Sequence, residues 1–140
     1  MGYEIEMSFD LRKHNDVTKL LGNAIELAEI NNCERHFQFT ETEGEVRRIK
    51  KQNYVLVFCF EDERFEGMTN FLKQILARYK RKIHIESIYE VNNHNLIYAS
   101  SYYMSLMEKE QKEDYKYRRE KRSYSETDYF ILREILKKNY

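Results

Sequence analysis

Glycine and cysteine are scarce in this chain of 140 residues, and proline is absent. Four glycines exclude a Walker-type phosphate loop, whose backbone amides must crowd around the ligand. Two cysteines, Cys33 and Cys59, exclude a disulfide-built scaffold and are expected to stay buried and reduced. No apolar run reaches the ~18 residues of a membrane span. The opening nine residues carry Glu4 and Glu6 and no basic start, so no signal peptide is expected and the protein should remain intracellular, in the cytoplasm. Neither charge sign is in excess, with 24 basic and 24 acidic side chains. That balance excludes indiscriminate binding to nucleic acid or to an anionic membrane. Dividing the chain at residue 100 leaves 14 basic and 16 acidic residues before it and 10 and 8 after it. Any charge signal must be local.

What the chain does have is pattern. Its length is that of one domain, able to bury roughly two thirds of the surface its unfolded form exposes. Tyr3, Ile5, Met7, Phe9 and Leu11 alternate with Glu4, Glu6, Ser8 and Asp10, a strand with one apolar and one wet face. Asp16 can cap a helix over residues 17–31, striped by Val17, Leu20, Leu21, Ala24, Ile25, Leu27, Ala28 and Ile30. A second strand over 35–42 sets Phe37 and Phe39 against His36, Gln38 and Thr40. After a turn at Glu43, Gly44 and Glu45, the continuous apolar run within 53–61 predicts a central strand buried on both faces. A second helix over 65–79 turns Phe65, Met68, Phe71, Leu72, Ile75, Leu76 and Tyr79 inward, with Gly67 weakening its first turn modestly. Ile83, Ile85 and Tyr89 form a fourth strand, and residues 96–100 a short fifth.

The order strand, helix, strand, strand, helix, strand is that of the split βαβ, or ferredoxin-like, frame. The expected fold class is therefore α+β: a mostly antiparallel sheet with two helices on one face, over residues 1–100. Residues 101–140 form a charged helical extension. Between residues 108 and 122 only Tyr115 and Tyr117 are apolar contributors, so this part is either a solvated helix or disordered. Beyond Ser125, Tyr129, Phe130, Ile131, Leu132, Ile135 and Leu136 make a last helix too apolar to stand alone. It must dock on the body or on another chain.

In that topology three basic links share one end of the sheet: Arg12, Lys13 and His14; Arg47, Arg48, Lys50 and Lys51; and Arg78, Lys80, Arg81 and Lys82. The amino terminus of the first helix points the same way. Such a pole suits phosphate, in a nucleic-acid backbone or a nucleotide. The plainer account is that Arg78, Lys80 and Arg81 offset a helix dipole and the hairpin residues solubilise. Base stacking on the sheet is disfavoured, because Glu4, Glu6, Ser8 and Asp10 would line its open face and carboxylates repel phosphate.

Catalytic chemistry has no motif to rest on, so an enzyme is the less favoured reading and no catalytic residue is assigned. Cys33, His36, Cys59 and His84 could be assembled into a soft-metal set, but only Cys33-x-x-His36 has ligand spacing. No metal or cofactor is expected. Glu4, Glu6, His84 and Glu86 could meet across strands, although charge alternation on a wet face accounts for them. Arg122, three residues before Ser125, resembles a basophilic kinase site, and a capped, solvated helix explains it equally.

The opening MGYEIEMSF, the segment LIYASSYYM and the tail segment KRSYSE resemble pieces of small uncharacterised proteins of amoeba-infecting giant DNA viruses. The resemblance implies a virus-encoded protein of the host cytoplasm or the virion, and it carries no site residues. An AT-rich source also fits the missing proline and the plentiful Asn, Lys, Ile and Tyr.

The function expected from these patterns is a non-catalytic protein-interaction or assembly module that self-associates through its apolar last helix or an exposed sheet edge. The residues expected to carry it are Tyr129, Phe130, Leu132 and Leu136. The alternative is phosphate or nucleic-acid binding through Arg12, Lys13, Arg47, Arg48, Lys50, Arg81 and Lys82. No membrane partner is expected.

Overall fold

Alternation in the first strand becomes a two-sided sheet. A computed structural model of the protein describes residues 2–10, 17–41, 53–79, 82–92, 95–105, 107–121 and 126–139. Strand β1 (Gly2–Asp10) lies in the middle of a five-stranded antiparallel sheet of order β2-β3-β1-β4-β5, with β2 (Arg35–Glu41), β3 (Asn53–Glu61), β4 (His84–Glu90) and β5 (Asn95–Ala99). The architecture is α+β. Helices α1 (Val17–Ile30) and α2 (Phe65–Tyr79) follow the apolar stripes of the sequence. One turn of 3₁₀ helix at Asp62–Arg64 leads into α2.

Register decides which residues meet. Ile5 pairs with Phe58 on one side and Ile88 on the other, and Met7 with Leu56 and Ile85. All six are buried, and with Phe71, Leu72, Ile75 and Leu76 of α2 and Leu20, Ala24 and Ala28 of α1 they form one core cluster. Phe71 anchors it, its ring 4.8 Å from Phe58 in an edge-on contact and 5.6 Å from Phe60. As the continuous apolar run predicts, β3 is interior and buried on both faces: Val55 and Cys59 as well as Leu56, Phe58 and Phe60.

Residues 101–140 are built into the same body. Helix α3 (Ser101–Ser105) and helix α4 (Lys109–Lys121) contact β4 and β5, and helix α5 (Glu126–Asn139) packs on α2. Leu132, Ile135 and Leu136 join the core cluster beside Ile97. The polar segment before α5 is helical at Lys109–Lys121 and is pinned by Tyr115, which is 3% exposed. One half of a capping box starts it, the backbone N–H of Glu108 donating to Oε1 of Gln111 at 3.1 Å, and the first helical bond follows, from the N–H of Lys112 to the carbonyl of Glu108.

Two joints set the geometry around β2. Helix α1 ends in a Schellman motif, with Asn32 at φ 65°, Asn32 N–H on the carbonyl of Glu29 and Cys33 N–H on that of Ala28. At the same place Gly67 of α2 meets the carbonyl of Asn31 so closely that a Cβ would lie inside contact distance. That glycine is a packing requirement rather than the simple weak point its sequence position indicates. Among the described residues no helix is long and apolar enough to cross a membrane.

Candidate interaction site

The two faces of the sheet are unlike. One carries the core. The other, set by Glu4, Glu6 and Ser8 of β1 with Val55, Val57 and Cys59 of β3, is met by α3 and α4 over β4 and β5. The cover is tied down at a bulge. Between Glu6 and Met7 the β1–β4 register shifts, leaving Glu86 as the extra residue of β4. Its carboxylate, 3% exposed, accepts from Ser8 Oγ at 2.9 Å and from Ser100 Oγ at 2.7 Å. Ser100 Oγ in turn accepts the N–H of Tyr103 and so caps α3. Sequence alternation places Ser8 and Glu86 on a wet face. The structure buries both, because the tail folds over them.

Beneath the tail lies a cleft of about 200 Å³ lined by Tyr89, Leu96, Tyr103, Met107, Gln111, Asp114 and Tyr115. Burial, then the nearby Glu6 carboxylate and Tyr89, push the Tyr103 hydroxyl above the ordinary tyrosine range. At the outer margin, the backbone N–H of Ala99 donates to the Tyr115 hydroxyl at 3.1 Å. An edge amide of β5 is thereby used up.

At the opposite edge, among the described residues, strand β2 pairs with β3 alone. Arg35, Phe37 and Gln38 are exposed, Phe37 by 51%, and His36 is half-buried 4.0 Å from the Glu29 carboxylate. The Arg35 guanidinium sits 5.7 Å from the centre of the Phe37 ring and hydrogen-bonds toward Cys59. The thiol of Cys33 donates to the carbonyls of Arg35 at 3.1 Å and Cys59 at 3.3 Å. Both thiols are free, and burial pushes both above the usual thiol range.

The residues expected from sequence fall in several places. Leu132 and Leu136 face the protein's own core, at 0% and 8% exposure. Phe130 and Ile131 of the same helix remain exposed at 58% and 37%. The side chain of Tyr129 lies outside the described residues. Arg12, Lys13, Arg47, Arg48, Lys50 and Arg81 also lie outside them, while Lys82 is described and exposed. Strand ends that those links join do share one end of the sheet: Asp10 and Glu41 both pair with Asn53, and His84 pairs with Ser8. At the other end, Glu61 accepts a raised carboxyl pKa through its hydrogen bond with Glu63 and that neighbour's charge. Cys33, His36, Cys59 and His84 do not converge: among the described residues no group of three or more His, Cys, Asp or Glu side chains is placed to hold a metal ion.

Sequence reasoning missed Phe37 as a site residue. Its signal was present in the alternation, since Phe37 and Phe39 stand opposite to His36 and Gln38, but the alternation does not say which of the two sides meets the helices. No family model, curated protein or solved structure matches the chain.

Proposed function

We propose that the protein is a non-catalytic interaction module that assembles by strand addition along β2, a second copy of the chain being among the segments it can accept. The observation that carries this reading is that β2, among the described residues, pairs on one side only, with Phe37 half exposed beside Arg35. An unpaired strand edge offers a row of backbone donors and acceptors, and natural proteins normally blunt such edges. Phe130 and Ile131 on α5 supply a separate exposed apolar contact. The frame is best described as ferredoxin-like with a fifth strand beyond β4. Adjacent central β1 and β3, with β2 outside β3 and β4 outside β1, support that description. The viral origin implied by the three short segments belongs to the same proposal, as an assembly protein of the host cytoplasm or the particle.

Light-scattering mass across a concentration series tests this reading. The wild type should grow heavier with concentration, and Phe37→Lys should hold the folded chain at its monomer mass. A wild-type mass that stays at one chain throughout overturns it.

A second reading, phosphate or nucleic-acid binding, is favoured by one observation: the described ends of β1, β2 and β4 gather at the end of the sheet where exposed Lys82 stands. It requires affinity for a nucleic-acid duplex or strand that falls steeply with salt and is lost when Arg47 and Arg48 are reversed to Glu. Salt-independent binding would contradict it.

A further inference from the structure

The outer face of the sheet is built in rows where the tail meets it. Glu4 of β1, Tyr89 of β4 and Leu96 of β5 are successive cross-strand partners, and in the next row Glu6 stands opposite Ser87, which stands opposite Ala99. Tyr89 and Leu96 form the sheet side of the cleft of about 200 Å³. Tyr103 comes to it from α3, Met107 from the link after α3, and Asp114 and Tyr115 from α4. That volume lies below the roughly 300–1,000 Å³ of a site for a drug-sized molecule, so it suits a small ligand.

Three tyrosines and a methionine make the wall aromatic and polarisable rather than simply apolar. Its charge is negative. Asp114 lies on it, the Glu6 carboxylate is near enough to oppose ionisation of Tyr103, and Glu4 is the cross-strand neighbour of Tyr89. Among the described lining residues none is basic. Ring faces and carboxylates together attract a cation and repel an anion.

The kind of cation follows from polar atoms that are already engaged. Oε1 of Gln111 accepts the N–H of Glu108, and the Tyr115 hydroxyl accepts that of Ala99. A primary ammonium brings three N–H donors that need acceptors once water is left behind. A metal ion needs several oxygen ligands, and among the described residues no group of three or more His, Cys, Asp or Glu side chains is placed to hold one. A methylated ammonium has no donor to satisfy. Its charge is spread over methyl groups that pack on aromatic rings, on a thioether and on leucine.

We propose that this cleft binds the methylated ammonium head of a small organic cation, held against Tyr89, Tyr103 and Tyr115, with Asp114 and the neighbouring Glu4 and Glu6 supplying the negative charge. This site is separate from strand addition at β2 and does not depend on it.

The test is a titration of the full chain, followed by NMR, with choline and with its neutral isostere, in which a quaternary carbon replaces the charged nitrogen. Sodium chloride holds the ionic strength equal in both. Choline should shift the ring resonances of Tyr103 and Tyr115 saturably, and the isostere should bind at least about tenfold more weakly. Tyr103→Leu should weaken choline binding about tenfold, and Tyr103→Phe, which restores the ring, should recover most of it. Thermal melts of each chain report folding independently. A further readout needs no variant: a cation beside Tyr103 favours its ionised form, so saturating choline should move the ionisation of Tyr103 to lower pH, and the isostere should not. Equal binding of the two probes overturns the preference for a cation. Choline shifts confined to other residues, or a folded Tyr103→Leu chain that binds as wild type does, overturn the location. No saturable shift with either probe overturns the site itself.

Discussion

The two edges of the sheet receive opposite treatment. At β5 the chain continues into α3 and α4 on one face, returns as α5 on the other, and spends the Tyr115 hydroxyl on the amide of Ala99. At β2, among the described residues, the strand pairs with β3 alone and Phe37 is 51% exposed. A long exposed edge is an aggregation hazard, and the described tail helices lie against β5 and the core rather than β2. Under the proposed strand addition, β2 would be the edge used.

The largest effect should come from stripping the covered side of its apolar anchor. Leu132 is fully buried against the core, whereas Phe130, two residues earlier on α5, is 58% exposed. Leu132→Ala should lower unfolding stability by about 2–5 kcal/mol, and Phe130→Ala should stay within about 0.5 kcal/mol of wild type. Chemical denaturation of the two variants side by side checks both. Equal effects would mean that α5 does not hold to the body as described.

Next in size is the cap itself. Tyr115→Phe keeps the ring in place and deletes the hydroxyl, leaving the buried N–H of Ala99 without that acceptor. A loss of about 1–3 kcal/mol is expected, together with faster hydrogen exchange at Ala99. It should also make the two edges more alike, so under the proposed strand addition the variant should form heavier species than wild type at the same concentration.

Much of the framework is legible in the sequence, and the asymmetry is not. Period-two alternation finds β1, and the helical stripe finds α2 at its observed limits, Phe65–Tyr79, because each element buries one face and local period reports that face directly. The unbroken apolar run finds β3 for the same reason. Ser8 and Glu86 read as solvent-facing because alternation cannot register a bulge that turns Glu86 toward Ser8, nor a distant helix that covers them. Helix α4 looks free in composition since, among its described side chains, Tyr115 is the buried one, and one residue makes no periodicity. In sequence, Leu132 and Leu136 suit docking on the body and on another chain equally, because an apolar face looks the same whether its partner is its own core or another chain. Only the three-dimensional contact with α2 separates the two.

The smallest expected effect separates the two edges of the sheet by pH. Tyr103 sits under the tail, where burial and the Glu6 carboxylate both oppose its ionisation, and its folded pKa is raised. The sign follows from linkage: the unfolded chain loses this proton at lower pH than the folded one. The contribution to stability is therefore complete below the ordinary tyrosine range and is lost as pH rises through the raised folded value. Alkaline titration should show Tyr103 ionising after the exposed tyrosines, and hydrogen exchange in α3 and the start of α4 should quicken over that same interval. Tyr103→Phe should remove that part of the alkaline loss. At β2 the alkaline response should be that of the Cys33 and Cys59 thiols, which burial pushes above the usual thiol range, and Tyr103→Phe should leave it unchanged. A β2 response that disappears in Tyr103→Phe would show that the tail and β2 are not independent, and the contrast between the two edges would have to be abandoned.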